Sequence, residues 1–136
     1  MVGPGAPSGA DGSTRDRGRR VEARAAGFLR ARGVEILATN VTAAGAEIDL
    51  IGRTDESGEP TIVFVEVRSR ADDRRGEPIE TIGPEKRRRI IRGATAWLVA
   101  NALWERVAVR FDVVTVTGEI ENAPIDWVVG AFDATG

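Results

Sequence analysis

Residues 61–69 read TIVFVEVRS, opening on five β-branched or aromatic side chains in succession. No other stretch of the chain carries so strong a strand signal. Upstream, 46–53 (AEIDLIGR) and 34–41 (VEILATNV) also read as strands, with small residues at 42–45 and a polar turn at 54–60 between them. Ahead of these, Val21, Ala25, Phe28 and Leu29 recur at helical spacing, and Gly33 fits the residue just past a helix end. Downstream, residues 70–82 are charged and aperiodic and read as an exposed loop. Pro84 suits the first position of a second helix, whose apolar stripe (Ile90, Ile91, Ala94, Trp97, Leu98, Leu103) runs to about Trp104. Strands are expected at 107–117 and 125–132. The order is α-β-β-β-α-β-β. Three strands on short turns, then a helix leading to a fourth, predict an α/β fold with a mixed central sheet flanked by helices.

At 136 residues the chain has the size of one domain. Residues 1–17 are rich in Gly, Pro and Ser and read as a disordered tail, leaving 18–133 as a single folded domain. No apolar run is long enough for a membrane span, and no signal-peptide core follows Met1, so a cytoplasmic protein is expected. With neither cysteine nor histidine, the chain has no thiolate or imidazole with which to bind metal or attack a substrate. Its chemistry falls to carboxylates, arginine, hydroxyls and metal-bound water. The formal charge of −2 conceals two basic segments, 1–32 and 68–92, each at +4 against −10 elsewhere. Such segregation allows a local phosphate-binding face.

The carboxylates on the strands carry the functional argument. In AEIDLI, Glu47 and Asp49 share one parity, while Ile48 and Leu50 take the other face. In FVEVR, Glu66 and Arg68 share a parity. If the two strands are hairpin neighbours, Asp49 and Glu66 meet at one end of the sheet. Two carboxylates brought together repel unless a proton or cation lies between them, and oxygen donors suit a hard divalent ion. Glu22 borders the apolar face of the first helix and can reach inward. Lys86, the only lysine, falls on the inward side of the second helix, while Arg87, Arg88, Arg89 and Arg92 spread over its outer faces.

Four stretches then resemble a known family: GRRVEARAAGFLRARG, NVTAAGAEIDLIGR, IVFVEVRSR, and RFDVV with the closing AF. Together they look like the YraN-like family of small bacterial proteins, grouped with Holliday-junction resolvases in the PD-(D/E)xK nuclease superfamily. The resemblance implies a restriction-endonuclease-like fold and a magnesium-dependent endonuclease acting on DNA, with branched or junction DNA among its substrates. It matches Glu22, Asp49 and Glu66 to the acidic residues of the nuclease motif and Arg68 to its lysine. Glu47 falls in a GEID-like motif, with Ala46 in place of the glycine, and Lys86 matches a basic residue opening the second helix. In the mechanism expected from this, Asp49 and Glu66, with the Val67 carbonyl, hold Mg²⁺ or Mn²⁺. Arg68 stabilises the charge developing on the phosphorane, and Glu22 binds a second ion or orients the water. Arg70, Arg74, Arg75, Arg87, Arg88 and Arg89 grip the nucleic-acid backbone. Arginine stays protonated where lysine can give up its proton, so Arg68 acts only as a fixed charge. A homodimer is expected from the resolvase likeness. The alternatives are a catalytically weak or inactive nucleic-acid-binding protein of the same fold, and an interaction module anchored by Trp104 or Trp127.

Overall fold

A computed structural model describes residues 9–70, 82–117 and 124–134. Its elements run α1 (Gly9–Ala31), β1 (Glu35–Ala43), β2 (Ala46–Thr54), β3 (Thr61–Arg70), α2 (Pro84–Ala100), β4 (Ala108–Thr117) and β5 (Ile125–Phe132). The five strands form one sheet in chain order. All neighbours are antiparallel except β3 and β4, which are joined through α2 and run parallel. This is the mixed α/β sheet in the α-β-β-β-α-β-β order expected from the sequence. Among the described residues no helix is long and apolar enough to cross a membrane.

The continuous apolar run of β3 has a simple cause: a helix covers each face of the sheet, so both parities of the strand are buried. Val63 and Val65 pack with Ala25, Ala26 and Leu29 of α1. Ile62 and Phe64 pack with Ile90, Ala94 and Leu98 of α2. Phe64 sits edge-on to Trp97 and stacked against Phe111, which in turn stacks on Phe132.

Both helices end in the same hydrogen-bonded motif. At α1, the Val34 N–H donates to Leu29 O and the Gly33 N–H to Arg30 O, with Gly33 at φ 93°. At α2, Leu103 N–H donates to Leu98 O and Ala102 N–H to Val99 O, with Ala102 at φ 60°. The second helix therefore stops at Ala100, short of the expected Trp104. Leu103 continued the apolar stripe because the motif folds it back onto the core beside Leu98.

The start of α1 also differs from expectation. The helix begins at Gly9, upstream of Gly18, so residues 9–17 of the expected tail are helical. Once the Val21–Leu29 stripe is docked, each residue added at the end gains one hydrogen bond without a new nucleation step. Residues 1–8, and 71–81 of the expected loop, lie outside the described residues.

Candidate active site

The site begins where β2 and β3 part. Their pairing runs from Thr54↔Thr61 to Leu50↔Val65 and goes no further. The next step would oppose Asp49 to Glu66, but β2 has diverged, and the Asp49 side chain replaces the missing strand partner. Its Oδ2 accepts the Val67 N–H at 2.8 Å. A strand residue sends its N–H and C=O out on the same side, so the Val67 carbonyl faces the same gap.

This divergence overturns one expectation. Ile48 and Leu50 do not share a face: Ile48 packs in the α2 cluster and Leu50 in the α1 cluster. The alternation breaks at Asp49. Opposite it on β1, Asn40 takes the left-handed conformation (φ 52°), and no Asn40↔Asp49 pair forms although pairs flank it on both sides. Asparagine tolerates that conformation better than most residues, which lets the hairpin bend there. Asp49 stands at the bend, within electrostatic reach of both Glu66 and Glu22.

The electrostatics record the crowding. The Asp49 carboxyl is pushed up from its ordinary 3.8 to about 7, chiefly by burial. The charges of Glu66 and Glu22 contribute to that rise, while the Val67 N–H bond and the Lys86 ammonium hold part of it back. Glu66, of the same parity as Phe64, points to the α2 side, where Lys86 Nζ donates to its Oε2 at 2.6 Å. An open cleft of about 300 Å³ lies over these groups, lined by Gly45, Ala46, Glu47, Asp49, Glu66, Lys86, Arg89 and Ile90.

The expected site residues thus fall into three groups. Asp49, Glu66, Glu47 and Lys86 share the cleft, with Arg89 at its edge. Glu22 and Arg68 do not line it. Glu22 acts on Asp49 through its charge, and half-buried Arg68 lies two residues along β3 from Glu66, paired with Thr115 of β4. Among the arginines expected to hold nucleic acid, Arg88 and Arg89 are exposed, while Arg70 is half-buried at the end of β3. Arg87, expected on an outer face, instead turns back onto the fold. Its Nε donates to Ile82 O at 2.8 Å and its guanidinium stands 5.9 Å from the Phe132 ring centroid. Arg74 and Arg75 lie outside the described residues.

Two structural supports were not visible in the sequence. Gly93 lets α2 approach the β1–β2 turn: a Cβ there would lie 3.0 Å from both Ala43 O and Ala46 Cβ. The only available signal was a glycine inside an otherwise strong helix. Asp112, in the RFDVV stretch, has a fully buried side chain and four donors: Arg110 Nε and Nη2, Trp127 Nε1 and the Gly130 N–H. It holds the irregular part of β5, where the register shifts and Gly130 has φ 64°. Trp127 is committed to this bond and to an edge contact with Phe28, whereas Trp104 is 47% exposed.

The acidic groups of this cleft offer oxygen donors, a set that suits a hard cation, with the Lys86 ammonium beside them. Among the described residues no three acidic side chains gather into a ready-made cage. Two carboxylates still match Mg²⁺, which keeps much of its water and commonly takes one or two protein carboxylates. The raised Asp49 carboxyl fits as well, since a cation would offset the cost of burying its charge and the repulsion from Glu66 and Glu22.

The family model described as "Uncharacterised protein family UPF0102" matches residues 21–116. A UPF0102 protein of Chromohalobacter salexigens is 42% identical over 127 residues, covering 93% of this chain and 98% of its own length. One from Pseudomonas aeruginosa is 41% identical over 124 residues, covering 90% and 96%. Another, from Anaeromyxobacter dehalogenans, is 42% identical over 130 residues, covering 95% and 93%.

Proposed function

The chain belongs to the uncharacterised protein family UPF0102, and on that premise we propose that it is a divalent-metal-dependent endonuclease that hydrolyses DNA phosphodiesters at the Asp49–Glu66 cleft. The observation that carries this reading is the parting of β2 from β3. It leaves Asp49 to accept the Val67 N–H in place of a strand partner, so that the Asp49 and Glu66 carboxylates line one cleft. Mg²⁺ or Mn²⁺ bound there supplies Lewis acidity and a water of lowered pKa.

The chain's own residues supply the rest. Asp49 and Glu66 hold the cation, and Val67 fixes Asp49 in place. Glu22 adds negative charge near Asp49, which raises the site's demand for a cation. Arg68, which does not line the cleft, adds a permanent positive charge two residues along β3 from Glu66, and it cannot take the attacking water's proton. Arg88 and Arg89 on the first turns of α2 bind backbone phosphates, contacts that position DNA without reading its sequence.

The test is a cleavage assay on duplex, flap and four-way-junction DNA with Mg²⁺ or Mn²⁺. Wild type is expected to cut, while Asp49→Asn and Glu66→Gln are inactive but folded. DNA binding without cleavage on every substrate and with either ion would overturn the nuclease reading in favour of a binding protein of the same fold.

A further inference from the structure

The cleft already contains a cation. Lys86 is the only lysine of the chain, and its ammonium bonds to Glu66 Oε2, on the carboxylate that a divalent ion at this site would also use. The two partners are held very differently. The Glu66 side chain is 11% exposed and fixed in the sheet, whereas Lys86 is 44% exposed, on a flexible four-carbon stem. Asp49 has its own donor in the Val67 N–H, so Lys86 is the mobile charge among groups otherwise set by the backbone. Arg89 lines the same cleft and lies three residues on, hence on the same helix face.

An ammonium and a divalent ion on one carboxylate repel each other, and the exposed ammonium on its flexible stem is the partner that can move. Resting on the cation site proposed above, we infer that Lys86 is an internal counter-ion that competes with the divalent cation for Glu66. When the cation binds, Lys86 is displaced into the open cleft beside Arg89. The ion pair holds the empty site together and also lowers its affinity for metal. An ordinary stabilising salt bridge would act in the opposite direction, since losing it would loosen the site and weaken metal binding.

Two measurements separate these cases. Free Mn²⁺ is followed by electron paramagnetic resonance as it is titrated into wild type, Lys86→Gln and Lys86→Arg at pH 8. Lys86→Gln is expected to bind Mn²⁺ roughly two- to fivefold more tightly than wild type, which is the free energy of a partly exposed ion pair expressed as affinity. Lys86→Arg keeps the charge and stays near wild type. Unchanged or weaker binding by Lys86→Gln overturns the inference, as does equal tightening by both variants. In the second measurement, acylation of the single lysine by an amine-reactive ester is timed by mass spectrometry. Mn²⁺ should speed it severalfold in wild type and leave it unchanged in Asp49→Asn. A rate that Mn²⁺ does not alter in wild type contradicts displacement. If wild type binds Mn²⁺ and Asp49→Asn does not, while Lys86→Gln fails to tighten, only the competition falls. If no variant binds Mn²⁺, the cation site falls, and this inference with it.

Discussion

Replacing Asp49 with Asn should stabilise the cation-free fold, and the gain should depend on pH. A carboxyl at about 7 against an ordinary 3.8 corresponds to roughly 4 kcal/mol, at about 1.4 kcal/mol for each tenfold in acidity. The folded-state pKa is the raised one, so the native protein takes up a proton across pH 4–7, and its stability falls as pH rises through that window. Above pH 7 the folded state bears the full cost of the charge. Well below pH 4 the group is neutral in both states and contributes nothing. Asn removes the charge and keeps an oxygen for the Val67 N–H, but it brings an NH₂ group that also needs partners, which returns part of the gain. The expected outcome is that Asp49→Asn exceeds wild type by about 2 kcal/mol at pH 8, with the difference falling as pH drops and reversing sign by about pH 4, where only the cost of the NH₂ group is left. Urea denaturation in EDTA at half-unit pH steps measures this directly. Parallel curves for the two proteins, or an Asp49→Asn variant less stable at pH 8, would refute the account of Asp49 as a strained, buried carboxylate.

Gly93→Ala should cost about 1 kcal/mol or more, because the close contact with Ala43 and Ala46 outweighs the roughly 1 kcal/mol that Ala adds to a helix; a variant more stable than wild type in urea contradicts the packing. Asp112→Ala should cost about 3–5 kcal/mol by leaving the Arg110, Trp127 and Gly130 donors without their acceptor, and a loss in thermal denaturation equivalent to under about 1 kcal/mol would show that the network is dispensable. The double variant Arg88→Ala/Arg89→Ala should flatten the slope of log K against log salt for duplex DNA by up to about 2, while leaving stability unchanged. Arg87→Ala should do the reverse, because Arg87 is tied to Ile82 and Phe132.

Much of this was readable from residue types, and what was not has identifiable causes. The apolar run of β3 marked a strand because both its faces are covered, and Gly33 marked a helix end because glycine is the usual residue for that conformation. The matching end at Ala102 carried no such mark, since an alanine at φ 60° is adopted only because the folded chain requires it. The meeting of Asp49 and Glu66 followed from hairpin neighbours and parity. The bend at Asp49 did not, because it depends on Asn40 across the strand pair and on where β2 leaves β3. Strict alternation therefore placed Leu50 on the wrong face. Lys86 was read correctly as inward-facing from its spacing to Ile90, although spacing could not reveal its partner. Arg87 shows the limit of helical periodicity. Its stem starts toward the outside, yet its guanidinium turns back to a carbonyl just ahead of the helix.

The central claim is that Asp49 and Glu66 form a divalent-cation site, and calorimetric titration of Mn²⁺ at pH 6, 7 and 8 tests it most directly. The cation needs Asp49 ionised, and Asp49 titrates near 7, so wild type should bind one ion per cleft. Its affinity should fall by up to about tenfold per pH unit below 7, and binding should release close to one proton at pH 6 and almost none at pH 8. Asp49→Asn should show no saturable heat at any of the three pH values. Equal weak heats in wild type and Asp49→Asn, independent of pH, would contradict the claim.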